Sequence, residues 1–413
     1  MPGPPGLRRA AVRAVRVLVP ITIVAFGASR LLAARYPVVA SLWVVPLVLQ
    51  NVCLAVLYGP VSRLVHAVSS RESPFGRYQA LFALVEETSW STPELEARAA
   101  VLRKGGGEGR PASKEIAALE RIIAFADLRH NTVVHFVANL ALAWDVWCAI
   151  ALERWRARCG PQVLGWLAAL GEIEALASLA TLTRERPEWV LPEVAEGPPR
   201  IEAEGLGHPL LAPDRRVDNA VALVAEPGIE PPGHALLVTG SNMSGKSTYL
   251  RSIGLCAVLA LAGGPVCARR AALSPLRTWT SMRIRDDLAD GVSHFYAELR
   301  RLKEVVDATG EGSDVLFLLD EILHGTNSRE RVLGARHVVA SLVAKGAVGA
   351  VSSHDLGLAD LAERTAGRVR NVHFRETVEG DVMSFDYRLR EGVVDTSNAL
   401  RLMRGVGLDV PLG

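Results

Sequence analysis

The feature that most constrains the fold is a glycine-bracketed loop, GSNMSGKST at 240–248, placed between two apolar segments. Ala235–Thr239 has the length and composition of a buried β-strand, and Ser247–Leu261 has an apolar face at helical spacing. Glycines at both ends of such a loop let the backbone curl until several N–H groups point to one place. The segment therefore predicts an α/β domain in the C-terminal half of the chain.

The loop fits the phosphate-binding pattern G-x-x-x-x-G-K-[ST] in full. Its backbone N–H groups and the start of the following helix favour phosphate oxygens. We expect Lys246 to reach the β- and γ-phosphates and Ser247 to hold Mg²⁺, so that ATP and Mg²⁺ are the expected cofactors. The candidate cofactor-binding residues of the loop are Gly240, Ser241, Asn242, Met243, Ser244, Gly245, Lys246, Ser247 and Thr248.

Two further apolar strands end in residues suited to hydrolysis. VLFLLD at 315–320 is followed by Glu321, and AVGAVSS at 347–353 is followed by His354. Asp320 can hold Mg²⁺, and Glu321 can orient or deprotonate a water molecule. His354 could contact a γ-phosphate. The expected catalytic residues are therefore Lys246, Glu321 and His354, and the expected metal ligands are Ser247 and Asp320.

A predicted helix follows Ser293, with an inner apolar face that includes Phe295 and Leu302. A serine at a helix start is usually an N-cap. Its hydroxyl and the neighbouring amides could also meet a γ-phosphate that arrives from another subunit.

These segments together resemble the ATPase domain of the MutS family of DNA mismatch repair proteins, which is of the ABC type. The resemblance covers about residues 200–400. Three of its segments carry these replacements relative to the family pattern: Ser241 for Pro, Ser244 for Gly, His294 for Thr, and Leu323-His324 for Gly-Arg. The segments are GHPLL at 207–211, RVDNAVAL at 216–223, TGSNMSGKST at 239–248, DDLADGVSHFYAEL at 286–299, LLDEILHGTNS at 318–328 and SSHD at 352–355.

The resemblance implies an ATPase that works as a facing dimer. Ser293 would complete the site of the partner subunit, and Asn327 and Ser328 would lie where the chain crosses the dimer interface, with Asn327 close to the nucleotide. Residues 207–223 would lie against the adenine. His354 would sense the γ-phosphate.

The N-terminal 66 residues predict a transmembrane hairpin. Tyr36–Ser62 is uncharged and long enough to span a bilayer. Val17–Ser29 is shorter and spans only if Arg16 and Arg30 extend toward the headgroups. Basic residues outside both runs favour cytoplasmic ends. A cleaved signal peptide and a soluble buried hairpin are the alternatives.

Residues 67–186 predict a helical region similar to a shortened lever, and 187–413 form the predicted ATPase domain. Val133–Leu152 is apolar but contains Asn139 and Asp145, so we interpret it as a packed helix rather than a third span. A further helix is expected to start at Pro161 and to end before Pro187. The expected location is the cytoplasmic membrane with the ATPase domain facing the cytoplasm, or alternatively the cytoplasm.

The substrate is less constrained by the sequence than the chemistry. A net charge of +2 excludes a global attraction to nucleic acid, so DNA binding, implied by the resemblance, needs a local basic patch. The triplet Phe374-Arg375-Glu376 has the composition of the family's mismatch-reading motif, but it follows the ATPase segments and is expected in a β-hairpin. The alternatives are a membrane-associated ATPase that acts on a protein or envelope partner, and a signalling module with a degenerate ATPase site. The five cysteines show no CxxC spacing and are interpreted as reduced packing residues.

Overall fold

The computed structural model describes residues 9–32, 36, 40–66, 75–106, 109–282, 294–309, 314–323, 327–379 and 382–394. Contacts divide the chain into two compact units, Met1–Ala177 and Ser178–Gly413. The division falls inside one long helix, Trp144–Glu185. Each unit has hydrophobic clusters of its own.

The first unit is helical. Among the described residues, three of its helices are long and apolar enough to cross a membrane by length and composition, over Val12–Leu32, Val44–Leu64 and part of Trp144–Glu185. The helices of this unit are α1 Arg9–Leu32, α2 Val44–His66, α3 Phe75–Glu87, α4 Pro93–Lys104, α5 Ala112–Ala126, α6 Thr132–Leu142 and α7 Trp144–Glu185.

Helices α1 and α2 cover the predicted hairpin and pack against each other. Val15 and Val19 of α1 and Leu57 and Val61 of α2 belong to one buried cluster. Farther along, Thr22 Oγ1 donates to Gln50 Oε1 over 3.3 Å. Outward-facing side chains of both helices are largely apolar and exposed, as expected for helices that are hydrophobic all round.

Two expectations for the helical region were wrong. The stretch 133–152 is not one packed helix, because Ala143 adopts a left-handed conformation with φ 55° and separates α6 from α7. The helix expected to start at Pro161 begins at Trp144 instead and runs through that proline. Packing of Cys159 and Trp166 on either side compensates for the single backbone hydrogen bond that Pro161 cannot donate. The predicted end before Pro187 is confirmed.

The second unit is a mixed α/β domain, as predicted. Its elements are β1 Glu193–Val194, β2 Arg200–Leu206, β3 Asn219–Val224, β4 His234–Thr239, α8 Lys246–Leu261, β5 Arg270–Leu273, β6 Arg277–Ser281, α9 His294–Ala308, β7 Val315–Asp320, α10 Ser328–Ala344, β8 Val348–Ser353, α11 Leu361–Arg364, β9 Val369–Glu379 and β10 Val382–Glu391.

Two sheets organise this domain. A six-stranded sheet has the order β10-β9-β4-β8-β7-β6 and is parallel except for the β9–β10 hairpin. A four-stranded sheet has the order β1-β5-β2-β3. Apolar side chains cover both faces of the larger sheet in two clusters, which is typical of parallel strands. The expected hairpin around Phe374 is confirmed.

The strand order brings the carboxyl ends of β4, β7 and β8 to one edge of the six-stranded sheet. β8 lies between β4 and β7, and its register pairs Ser353 with Thr239 and Ser352 with Asp320. The residues that follow these three strands therefore meet at the carboxyl edge, where open parallel sheets bind their ligands.

His234 at the start of β4 predicts a loss of stability in mild acid. Burial, with Arg368 and Arg370 nearby and Glu226 opposing them, lowers the pKa of His234 to about 4. The unfolded chain, with an ordinary pKa of about 6.5, binds more protons between these values, so the stabilisation is complete above about pH 6.5 and is lost as the pH falls toward 4. We expect the unfolding free energy to fall by about 2 kcal/mol from pH 7.5 to pH 5 through this residue.

Chemical unfolding of the full chain at both pH values measures the effect. His234→Asn keeps an acceptor for the Val224 N–H, which donates to His234 Nδ1, and should remove most of the pH dependence. His337→Asn, at an exposed position on α10, is the control. An equal pH dependence in both variants would contradict the assignment.

Candidate nucleotide-binding site

The glycine-bracketed loop joins β4 to α8 and needs both of its glycines. Gly240 has φ 143° and Gly245 has φ 106°, values that residues with a side chain rarely adopt. A Cβ at Gly240 would also lie 2.9 Å from the carbonyl oxygen of Phe374. Met243 within the loop adopts φ 69° and is largely exposed. The loop thus has the strand–loop–helix context that the sequence predicts.

Lys246, the first residue of α8, places a buried ammonium group beneath the loop. Its side chain is 4% exposed. Its Nζ donates to the carbonyl oxygens of Gly240 and Ser241, each over 2.9 Å, and lies 3.4 Å from Glu321 Oε1. A buried charge requires such compensation, and the partners hold the ammonium group at the sheet edge.

The Glu321 carboxylate lies between two cationic or potentially cationic groups. Its Oε1 is 3.4 Å from Lys246 Nζ and 3.6 Å from His354 Nδ1. The three expected catalytic side chains are thus close together. They belong to the segments that follow β4, β7 and β8, whose carboxyl ends meet at this edge of the sheet.

Ser352, at the end of β8, connects both acids through one buried hydroxyl. Its Oγ donates to Asp320 Oδ1 and accepts from the backbone N–H of Glu321 over 3.0 Å. The Glu321 N–H also lies 3.2 Å from the Ser352 carbonyl oxygen. Because this hydroxyl orients the Asp320 carboxylate, Ser352 is a positioning residue that the sequence reasoning missed.

Glu298 of α9 is a second residue that the sequence reasoning missed. It is 4% exposed, and its Oε1 accepts from the Leu323 N–H over 2.6 Å. Leu323 adopts φ 63°, a left-handed conformation, at a position where the family pattern has glycine. Glu298 Oε2 has no hydrogen-bond partner among the described residues, and the side chain lines the same cavity as the two acids. An inward-facing acid in a predicted apolar helix face was the available signal.

The site opens into a cavity of about 960 Å³. Its lining combines Lys246 and the acids with residues of 206–219 and Tyr387. Burial, with Arg251 nearby, lowers the pKa of His208 there and favours its neutral form. The lining residues are Leu206, His208, Leu211, Arg215, Val217, Asn219, Asn242, Met243, Gly245, Lys246, Ser247, Thr248, Tyr249, Arg251, Ser252, Ser281, Glu298, Asp320, Glu321, Phe374 and Tyr387.

The remaining predicted site residues have different positions. Asn327 is exposed, caps α10 by accepting from the Glu330 N–H over 2.9 Å, and is not among the cavity residues. Ser293 lies outside the described residues, and the side chain of Ser328 is not described. Gly240, Ser241 and Ser244 form the base of the loop rather than the cavity wall.

The side-chain oxygen atoms that line the cavity fit Mg²⁺. Among the described residues no three acidic, histidine or cysteine side chains form a metal cluster. Mg²⁺ commonly takes one or two carboxylates and completes its shell with water and phosphate oxygens. Ser247, Asp320 and Glu298 line the cavity, and Glu298 Oε2 has no hydrogen-bond partner among the described residues. The donor set therefore suits a hard cation.

Fold and site define a mixed α/β domain with a glycine-bracketed loop, two acids and a histidine at one sheet edge. Residues 236–410 match the family model of MutS domain V. The C-terminal domain is therefore a MutS domain V, which is the ATPase domain of the MutS family.

Curated relatives show the same similarity over part of their length. The "DNA mismatch repair protein MutS" of Natronomonas pharaonis is 33% identical over 244 residues, 58% of this chain and 27% of that protein. The "Endonuclease MutS2" of Anaeromyxobacter sp. is 32% identical over 256 residues, 60% of this chain and 31% of that protein. The "DNA mismatch repair protein MutS" of Shouchella clausii is 28% identical over 343 residues, which cover 81% of this chain and 34% of that protein. The chain spans about a third or less of these relatives.

Ser244 in the loop predicts a stabilising substitution. Its hydroxyl is buried and has no hydrogen-bond partner among the described residues, which costs about 1–3 kcal/mol. Ser244→Ala should therefore raise the unfolding free energy by about 1 kcal/mol. The matched variant Ser252→Ala removes a buried hydroxyl that donates to the Thr248 carbonyl over 2.9 Å and should lower it by about the same amount. Chemical unfolding of both variants measures the difference, and equal effects would show that Ser244 has a partner.

Proposed function

We propose that the C-terminal domain binds ATP with Mg²⁺ and hydrolyses the ATP. The observation that carries this proposal is the proximity of Lys246 and His354 to the Glu321 carboxylate, beside a cavity that Lys246, Asp320 and Glu321 line. Leu206, Val217 and Tyr387 also line this cavity and offer apolar surface of the kind that a purine base requires.

Lys246 is the proposed cation for the β- and γ-phosphates. Its ammonium group now bonds to two loop carbonyls and lies close to Glu321. A triphosphate offers stronger, charged acceptors at the same position, and the N–H groups of the loop add to them. Contact with phosphate would draw Lys246 away from Glu321 and free that carboxylate for catalysis.

Asp320 and Glu321 have different proposed roles. Asp320, oriented by Ser352, would hold Mg²⁺ together with Ser247, and the bound ion would neutralise charge on the phosphate oxygens. Glu321 would accept a hydrogen bond from the attacking water and orient it or remove its proton. His354, at the Oε1 side of Glu321, is half-exposed and would contact the γ-phosphate.

We propose further that two copies face each other across the nucleotide. Ser293 directly precedes α9, whose Glu298 lines the cavity, and would complete the site of the partner subunit. Asn327 and Ser328 begin α10 and would contribute to the interface. ATP would then shift the dimer between open and closed states, and the helical region 67–186 would follow that movement.

The proposed ligand of the moving region is DNA, in a process related to mismatch repair. This proposal is drawn from the relatives, two of which are named for DNA mismatch repair. We also propose that α1 and α2 anchor the protein in the cytoplasmic membrane with the ATPase domain in the cytoplasm. Their apolar composition supports this arrangement.

Lys246→Ala should abolish ATP binding. The substitution removes one buried cation that the phosphates would contact, and the loss of charge-assisted bonds predicts at least about a 100-fold weaker affinity. Equilibrium binding of a fluorescent ATP analogue measures the effect. Lys303→Ala, which removes an exposed lysine paired with Asp307, is the control and should bind normally. Unchanged affinity in the Lys246 variant would contradict the assignment of the loop.

Glu321→Gln should slow hydrolysis by about 10²–10⁴-fold and retain bound ATP, because the amide cannot act as a base. ATP turnover and molar mass in solution measure both effects, and we expect the trapped form to be dimeric. Glu363→Gln, at an exposed position on α11, is the control. A variant that stays monomeric with ATP bound would contradict the facing dimer.

The trapped form also tests the proposed substrate. Titration with short duplexes that contain a mismatch or a branch, at low salt, should show binding that weakens as the salt concentration rises. Absence of binding, together with capture of a membrane protein by the same trapped form, would replace DNA by a protein partner.

A further inference from the structure

Helix α6, Thr132–Leu142, is a short apolar helix with no buried residue. Val133 is 74% exposed, Phe136 65% and Val137 58%. Its other exposed apolar side chains are Val134, Leu140 and Leu142. An isolated helix of this length is marginal in water, and exposed apolar side chains gain little from solvent contact. The helix therefore requires an apolar environment around it.

A side chain of α2 forms hydrogen bonds with backbone carbonyl groups at the C-terminal end of α6. Gln50 is fully buried, and its Nε2 donates to the carbonyl oxygens of Leu140 over 3.0 Å and of Ala141 over 3.2 Å. These are carbonyls of the last helical turn, which in a soluble helix are commonly left to water. In hydrocarbon an unpaired carbonyl is costly, so irregular backbone is tolerated there only when protein groups satisfy it.

The stretch 131–152 pairs its own charges. It contains one acid and one histidine, Asp145 and His135, and Asp145 Oδ1 lies 3.0 Å from His135 Nε2. Asn139 Oδ1 accepts from the Asp145 N–H over 3.2 Å. Ionisable residues in membrane segments typically pair in this way inside the protein. Basic residues, Arg129 before the stretch and Arg154 after it, lie outside its apolar limits.

The first apolar part of α7 is short and ends at Leu152, where Glu153 and Arg154 follow. Val146 and Ile150 share a buried cluster with Leu57 and Val61 of α2. Leu152 packs near Leu64, at the end of α2 where the predicted span finishes. Beyond it, α7 carries charges and forms the Arg158–Glu115 ion pair with α5 over 2.7 Å. The chain that passes through α6 thus returns to the Leu64 end of α2.

We propose that residues 132–152 enter the lipid bilayer beside α1 and α2 as a re-entrant element. The inference rests on the proposed membrane hairpin. Gln50 lies 14 residues before Leu64, or about 21 Å along the helix, so the end of α6 that it contacts lies deep in the hydrocarbon. Helix α6 has 11 residues and is about 16 Å long, too short to cross a core of about 30 Å. We therefore expect lipid around the exposed side chains of α6. The chain would enter and leave the bilayer on the same side.

Site-specific photocrosslinking in the full chain tests this element. Benzoylphenylalanine in place of Val137 is activated after reconstitution into phosphatidylcholine–phosphatidylglycerol nanodiscs, and adducts are identified by mass spectrometry. We expect lipid adducts at a yield within about twofold of that for the probe in place of Val48, an exposed residue of α2. The probe in place of Ala157, an exposed residue of α7 beyond the apolar stretch, should give at least about tenfold less.

Each other outcome overturns the re-entrant element. A crosslink from position 137 to a second copy of the chain would identify α6 as a subunit interface. Absence of lipid adducts at 137 with adducts at 48 would leave the hairpin in the membrane and α6 outside it. Absence of lipid adducts at both positions would reject the hairpin itself.

The contact between Gln50 and α6 has its own test with the same probe. Gln50→Leu removes the side-chain donor of the Ala141 carbonyl and leaves the Leu140 carbonyl with only the longer bond from Asn51, at 3.5 Å. It should reduce lipid adducts at position 137 at least about threefold. Ser29→Ala is the control, because the Ser29 hydroxyl of α1 donates over 2.8 Å to the Phe26 carbonyl of its own helix. Equal lipid adduct yields in the two variants would show that Gln50 does not hold α6 in the bilayer.

Discussion

The candidate site depends on the position of β8 between β4 and β7. Parallel hydrogen bonding on both sides aligns Ser353 with Thr239 and Ser352 with Asp320, so three strands end at one level. A slip of two residues on either side would move Lys246 or Glu321 by about 7 Å and separate them. The contact between the Lys246 ammonium group and the Glu321 carboxylate is therefore a consequence of strand register, which the buried apolar residues on both faces of the sheet hold in place.

The turn after β7 contains two residues in left-handed conformation, and the side chains of Ser352 and Glu298 stabilise it. Glu321 and Leu323 both have left-handed backbone, which costs a residue with a side chain about 1–2 kcal/mol. Ser352 binds the N–H of Glu321, and Glu298 binds that of Leu323. Leu323 is itself buried, so its side chain offsets part of the strain that glycine would avoid. The same two supporting residues face the acids, which links the shape of the turn to the chemistry of the site.

Much of the C-terminal domain could be predicted from the sequence because its signals are local. Apolar strands of five or six residues, each followed by a polar or glycine-rich turn, identify β4, β7 and β8, and strand order explains why their ends meet. Ser352 and Glu298 could not be assigned in the same way, because their roles arise from contacts with residues about 25 to 32 positions away. Asn327 has a local signal for a helix cap, and the structure gives it that role.

The helical unit was harder to predict because its decisive features are not periodic. A break at Ala143 has no proline or glycine to mark it, and Pro161, a usual helix boundary, lies inside α7. In the sequence, Asn139 and Asp145 favour a packed helix over a third span. The structure shows that Asn139 accepts from the Asp145 N–H and that the Asp145 carboxylate contacts His135, so their polarity is used internally. Polar residues in an apolar helix therefore indicate an aqueous surface only when they lack partners within the protein, and Gln50, fully buried against backbone carbonyls, is the clearest case in this chain.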